Sequence, residues 1–421
     1  MPESRAKELM LTGLRVGNAS ACAEQFAIAT LAEWQETVRL ARWHGVAPLL
    51  HRQLKTMRAQ VPEEILQDLR AAYLQSAIRN KQLYRQLTEI LECLGQEDIP
   101  VIPLKGVYLA EWVYRNWALR PMTDIDLLVR KDDVTRAAEA LLAMGYSWAG
   151  DHIVEPTQAM IHHHLPPLVK ANCVPLEAHW DLVSRIGPLK QWADPFTIDL
   201  STVWQRARPV IIAGMSVQVL STEDLLLHLC IHTAYHHGFG VRLCALFDIA
   251  EVIRCYQGEM DWRLVCQSAR QWGISRSVYL TLCLTKELLQ VPVLPDVLET
   301  LKPREFDPRL TLWAKEQILR DRDGAPADSL NITRVWRAAG LRGKIVNLLK
   351  IMFPPPQMIA ALYSRSPRDK RIYLYYWVRF KDLMLKYFHF LWKLLLRDRA
   401  TVAHVDRDEQ TNALVDWLAA K

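Results

Sequence analysis

Asp124 and Asp126 flank one isoleucine at the head of an aliphatic run, Thr-Asp-Ile-Asp-Leu-Leu-Val. Ile125 to Val129 reads as a strand, so alternation sets both aspartates on one face, opposite Ile125 and Leu127. Two carboxylates that close repel each other unless a cation lies between them, and hard oxygen donors of this kind suit Mg²⁺. The repulsion predicts that replacing either aspartate by Asn leaves the metal-free fold intact or slightly stabilised. Upstream, Ile99 to Leu104 reads as a second strand ending in a Lys105-Gly106 turn. Ala110, Val113, Tyr114 and Trp117 then follow at i, i+3, i+4 and i+7, the apolar face of a helix. A glycine turn opening a helix offers N–H groups and a positive dipole end to a phosphate. A phosphate seat beside a metal seat is the layout of a phosphoryl- or nucleotidyl-transfer site.

Two further groups could join it. In Val-Pro-Leu-Glu-Ala-His-Trp-Asp, alternation sets Glu177, His179 and Asp181 opposite Leu176, Ala178 and Trp180. If that strand lies beside Asp124–Asp126, Glu177 becomes a third carboxylate; otherwise it is a solvated strand residue. Asp181 competes for the role, but it lies past Trp180, where the strand is expected to end. Downstream, His228, His232 and His236 recur at i, i+4 and i+8 and share a face with Asp224. Such a row could bind a transition metal, line an active site to meet phosphate or an acceptor, or serve as hydrogen-bonded structural groups. The His162-His163-His164 triplet reads as mid-strand, alternating faces, and is not expected to act as one cluster.

The sequence LKG at 104–106, then Arg120, then TDIDLLV at 123–129 resembles the nucleotidyltransferase fold of the polymerase-β type. The nearest likeness is to uncharacterised bacterial nucleotidyltransferases with an LKG start, and the pattern is similar to the nucleotidyltransferase toxins of abortive-infection systems. LEAHWDL at 176–182, HLCIHTAYHH at 228–237, LFDIAEVIR at 246–254 and ARWHGVAPLL at 41–50 extend the resemblance over most of the chain. It implies an α+β fold with a small mixed sheet, flanked by N- and C-terminal helical regions. It also implies an NTP substrate and two Mg²⁺ ions held by Asp124, Asp126 and Glu177, with Glu177 on the second ion or taking the acceptor proton. Lys105, Gly106, Arg120, His179 and His232 would then meet the nucleotide phosphates, Arg120 as a fork. The chain departs from the pattern at Lys105-Gly106-Val107, where the fold's usual Gly-Ser or Gly-Gly would stand. Val107 has no hydroxyl to grip a triphosphate, and Lys105 could compensate as a point charge. A hydroxyl or phosphate acceptor on a small molecule, peptide or protein fits equally well. Two other classes fit the residues: a non-catalytic nucleotide-binding protein, and an RNA-directed terminal nucleotidyltransferase.

At 421 residues the chain has room for two or three domains. The expected divisions are an N-terminal helical region at 1–95, the nucleotidyltransferase core at 96–220, a helical domain packing on it at 221–320, and a basic, aromatic-rich helical region at 330–421. Leu31, Trp34, Val38 and Ala41, and later Leu83, Leu87, Ile90, Leu91 and Leu94, carry helical spacing in the first. In the second, Asp132 or Asp133 caps a helix with a stripe of Val134, Ala137, Ala138, Leu141 and Leu142, closed by Gly145. Short strands follow to residue 220, the last of them VIIAGMSVQVL. Ser221 to Asp224 resembles a capping box opening the histidine helix.

The eight cysteines stand singly with no CxxC pair, which argues for reduced thiols and a cytoplasmic home. The N-terminus lacks a signal-like apolar region, and no stretch approaches the roughly 20 apolar residues that span a bilayer. Charge is concentrated: residues 334–399 hold 15 Lys and Arg against three Asp, a local +12 that leaves the rest of the chain at −6. In 382–397 the polar residues form one narrow stripe amid Leu, Met, Phe, Tyr and Trp. That wide apolar surface packs on the protein's own body or meets an anionic membrane or nucleic acid.

Overall fold

The computed structural model describes residues 2–15, 19–149, 163–183, 196–321, 373–383 and 410–419, with 342, 349, 352, 353, 356 and 359. The chain begins with helices α1 (Pro2–Leu14), α2 (Ala19–Ala27), α3 (Leu31–Trp43), α4 (Ala47–Thr56) and α5 (Glu63–Gln96). Thr30 and Glu33 form a reciprocal capping box at the head of α3, and Gly45, at φ +69°, ends it in the left-handed region. Helix α5 has 34 residues, a rod of about 51 Å at 1.5 Å per residue. Its expected stripe of Leu83, Leu87, Ile90, Leu91 and Leu94 is buried.

The sheet that α5 supports has the order β1 (Val101–Leu104), β2 (Ile125–Val129), β5 (Leu176–His179), β4 (Leu168–Val169) and β3 (Ser147–Trp148). β2 and β5 run parallel, and every other neighbouring pair is antiparallel. All five residues of β2 are buried, so the central strand is covered on both faces. The fold is α+β, as the resemblance implied.

Between β1 and β2 the expected helix is shorter and looser. One α-turn, α6 (Gly106–Tyr108), passes into a π-turn at Leu109–Val113, and Arg115, at φ +52°, stops it before Trp117. After β2, helix α7 (Val134–Ala143) buries Val134, Ala137, Ala138 and Leu141, and Gly145 closes it at φ +88°. The run VIIAGMSVQVL is a hairpin rather than one strand: β6 (Arg208–Ile212) and β7 (Met215–Val219) join through Ala213 and Gly214, both at positive φ. That two-residue turn matches the twist of the strands it joins.

Helices follow at Thr222–Ile231, Cys244–Cys255, Trp262–Gln271, Ser275–Leu289, Pro295–Leu301 and Arg309–Ile318. Ser221 caps the first by accepting from the Asp224 N–H, and a π-turn at His232–His236 extends it. Among the described residues nearly all buried apolar side chains form one cluster from Ala6 to Leu418, so the C-terminal helical stretch at 410–419 belongs to the main core, while buried Ile359 packs apart from it with Tyr375 and Tyr376. Most of the basic region at 334–399 lies outside the described residues. Within it, 373–383 is helical and holds Tyr373, Leu374 and Trp377 exposed. No helix among the described residues is long and apolar enough to cross a membrane.

Candidate active site

Strand register brings the carboxylates together. Asp126 on β2 is the direct partner of Glu177 on the parallel strand β5, and Leu128 is the partner of His179. Parallel neighbours in register present side chains to the same face of the sheet. Asp126 is 5% exposed and His179 3% exposed, whereas Glu177 is half-buried. His179 Nε2 lies 3.0 Å from Asp126 Oδ1 and 3.4 Å from Glu177 Oε2. Lys105 Nζ takes the other oxygen, 3.1 Å from Asp126 Oδ2. Asp124 stands just before β2 and faces solvent at the rim. Asp181, the rival third carboxylate, lies beyond the end of β5, where its Oδ1 accepts from the Val183 N–H at 3.2 Å.

The neighbours set the charge of each group. Burial disfavours ionised Asp126, yet the Lys105 ammonium and the His179 hydrogen bond hold its carboxyl well below the usual range. Burial likewise opposes a charged His179, but hydrogen bonds to Asp126 and Glu177 raise it. Glu177 is lowered by the His179 hydrogen bond against the burial that would raise it. Asp124 moves the other way, pushed up by crowding protein on its inner side and by the charge of Asp126.

Helix α5 fixes the turn that carries Lys105. Tyr84 donates its hydroxyl to the Val107 carbonyl at 2.6 Å, and Asn80 Nδ2 donates to the Trp117 and Arg120 carbonyls at 2.5 and 2.8 Å. Lys105 itself sits at φ +48°, a region that costs a residue with a Cβ. Gly106 has a packing reason: a Cβ there would come within 2.9 Å of Met122 Sδ.

Arg120, expected to fork a phosphate, is gripped by Asp248 on the helix Cys244–Cys255. Its Nε lies 2.8 and 2.9 Å from the two carboxylate oxygens, and Nη1 donates to the Pro121 carbonyl at 2.6 Å. Tyr114 donates its hydroxyl to the same carboxylate at 2.8 Å. The pair ties the loop leading into Asp124 to the downstream helices. This pair is missed by the sequence reading; the signal available there is Asp248 set among Leu246, Phe247, Ile249 and Ala250, since a carboxylate buried in such company needs a cation.

Histidines from three segments converge beside the carboxylates. The rings of His163 and His164 stand 5.2 and 5.1 Å from that of His179, and His163 stands 4.7 Å from His236. The expectation that the triplet cannot cluster is therefore corrected; His162 lies outside the described residues. The stretch is not a regular strand, since only His164 makes an isolated bridge to His179, so alternation does not govern it. His228, His232 and His236 continue the row, with successive ring separations of 6.3 and 6.0 Å. His228 is 2% exposed, and neither of its ring nitrogens meets a hydrogen-bond partner among the described residues. Burial lowers all three, His228 to about 3, so the row is neutral imidazole.

The donor atoms of Asp126, Glu177 and His179 all lie within 4.8 Å of one another, a set that fits a metal ion. Asp124 is not part of that set. The α+β fold, with carboxylates adjacent on parallel strands and a glycine turn beside them, agrees with the nucleotidyltransferase class. Residues 30–290 match the model of an uncharacterised nucleotidyltransferase family, and the chain belongs to that family. The match runs from the cap of α3 to the end of the helix Ser275–Leu289, so it contains every site residue named above. No curated protein and no solved structure matches the chain.

Proposed function

We propose that this nucleotidyltransferase moves a nucleoside monophosphate from an NTP to a hydroxyl or phosphate acceptor in a reaction that needs Mg²⁺. The supporting observation is the register pair Asp126–Glu177, with a third donor, His179, against both carboxylates. In this reading Asp124, Asp126 and Glu177 hold the metal, two ions by the family's pattern. Bound there, the ions supply positive charge to the α-phosphate and the departing pyrophosphate. The protein's own share is positioning and electrostatics, so few side chains are required.

Lys105 supplies the point charge at a turn where Val107 offers no hydroxyl, and Gly106 keeps that turn close to its support. Arg120 serves by holding the loop before Asp124, through Asp248, rather than by touching phosphate. Glu177 takes the acceptor proton or holds the second ion. His232 meets polar groups of the substrate as a neutral donor or acceptor, since burial keeps its ring uncharged.

Incubation with each labelled nucleoside triphosphate, Mg²⁺ and cell extract, followed by mass spectrometry, tests the reaction. The expected result is label on an acceptor with wild-type protein and none with Asp126→Asn. Nucleotide binding without transfer from any of the four would mark a binding protein, and label confined to RNA ends a terminal transferase.

A further inference from the structure

We infer that one of the two metal seats is a mixed oxygen–nitrogen site, with His179 Nε2 as a direct ligand beside Asp126 and Glu177, built for a divalent first-row transition ion such as Mn²⁺. The inference deepens the nucleotidyl-transfer reading and rests on it for the location of the seat.

Geometry carries it first. Donors about 2.1 Å from a common ion and at right angles to one another stand roughly 3 Å apart. His179 Nε2 lies 3.0 Å from Asp126 Oδ1 and 3.4 Å from Glu177 Oε2, the spacing of neighbouring ligands. A histidine that merely balanced carboxylate charge could do so from either oxygen or from one residue alone. Here one nitrogen lies against both carboxylates, and the donor atoms of all three residues stand within 4.8 Å of one another.

The ring is also held in place. It is 3% exposed, on the last residue of β5, with the imidazoles of His163 and His164 about 5 Å away. The backbone of the preceding segment bridges to it as well. A cation seated between Asp126 Oδ1 and Glu177 Oε2 therefore meets this nitrogen.

Chemistry then selects the ion. Mg²⁺ demands oxygen ligands and keeps its waters, whereas imidazole suits the first-row transition ions. Two carboxylates and one imidazole form a donor set of that second kind. The seat formed by Asp124 and Asp126, with phosphate oxygens, holds oxygen donors only and suits Mg²⁺ arriving with nucleotide. The two seats are thus chemically unlike.

The test uses the full-length chain and Mn²⁺ alone, without nucleotide, so it does not depend on finding an acceptor. Pulsed electron paramagnetic resonance of bound Mn²⁺ should show nitrogen modulation from one imidazole. His179→Gln should remove that modulation and weaken Mn²⁺ binding roughly tenfold or more, as loss of an oriented ligand does. His163→Gln and His164→Gln should keep it. Mn²⁺ bound without nitrogen modulation in the wild type overturns the inference, as does modulation that survives His179→Gln or the absence of Mn²⁺ binding. The wild-type spectrum decides even if the His179 variant fails to fold. Failure of the transfer reading shows differently: nitrogen-ligated Mn²⁺ with no nucleotidyl transfer under any ion.

Discussion

Lys105 Nζ stands 3.1 Å from Asp126 Oδ2, and this pair of a half-buried ammonium and a buried carboxylate reverses a sign that the Asp-Ile-Asp spacing alone suggests. Viewed as two repelling carboxylates, either aspartate should be replaceable by Asn with no loss of stability. In the structure Asp126 is neutralised twice, by Lys105 and by His179. Asp126→Asn leaves a half-buried ammonium without its partner, a loss of up to about 3 kcal/mol. Asp124→Asn does the opposite, because a carboxyl whose proton affinity is raised is one whose charge is disfavoured. In EDTA, Asp126→Asn should lower the thermal midpoint, while Asp124→Asn should leave it unchanged or raise it slightly. Equal midpoints for wild type and Asp126→Asn would show that the Lys105 pair contributes no net stability. Both variants should lose transfer.

Glu177 and Asp181 separate by the same kind of reasoning. Glu177 lies in register with Asp126, while Asp181 lies past the strand with an oxygen on a backbone N–H. Glu177→Gln keeps the shape and removes the charge, so kcat should fall roughly 10²-fold or more with KM little changed. Asp181→Asn should have the smaller effect. Loss of activity in the Asp181 variant alone would move the third carboxylate to the strand end.

The sequence made legible what depends on local rules. The β1 and β2 strands, the Lys105-Gly106 turn and the Ser221 cap follow from alternation, capping or glycine chemistry. Alternation puts Asp126 and Glu177 on one face of the sheet only on the condition that their strands are neighbours, which the parallel β2–β5 pairing meets. The placement of Lys105 on Asp126 was not legible, because a side-chain direction depends on a backbone at positive φ held by Tyr84 from another element. Nor was the Arg120–Asp248 pair, whose members lie 128 residues apart. The spacing of the row His228, His232 and His236 does set successive rings 6.3 and 6.0 Å apart. The row's meeting with His163 is not legible, because alternation does not govern a segment that is not a strand.

Stability should also depend on pH in a direction set by His44. This ring is buried, its Nδ1 accepts from the Leu243 N–H at 3.3 Å, and burial lowers it to about 4. The unfolded chain takes up a proton near pH 6.5, whereas the folded chain refuses it until about pH 4. A lowered histidine therefore leaves stability intact above pH 6.5 and erodes it as pH falls through the window below. His228, His232 and His236 act in the same sense, and His179, which is raised, acts against them. His51, His163 and His164 are lowered as well, so the lowered rings outweigh the one raised and unfolding free energy should fall between pH 6.5 and 4. His44→Asn keeps an acceptor for Leu243 and should make that slope shallower by about 1.4 kcal/mol per pH unit. An unchanged slope would mean that His44 titrates freely in the folded protein.

The basic segment 334–399 can be tested only if the helix beyond it is kept. Truncation after Asp328 removes the 410–419 stretch, whose Leu414 and Leu418 are buried in the main core and whose Trp417 carbonyl accepts from Arg276 at 2.9 Å. Exposing the surfaces that these two leucines cover costs about 1.5–3 kcal/mol each. Such a truncation should aggregate whatever the segment does. An internal deletion of 334–399, bridged by a flexible linker, spares that packing and should keep the thermal midpoint close to wild type. The segment's +12 charge, with Trp377 75% exposed on the helix that also carries Arg379 and Lys381, has the composition of an anionic interface contact. Full-length protein should therefore bind vesicles rich in anionic lipid, release them steeply as salt rises, and ignore zwitterionic ones. The internal deletion should bind neither. Salt-dependent binding to RNA with none to vesicles would assign the segment to nucleic acid. A deletion that unfolds, from a protein that binds neither surface, would assign it to the core.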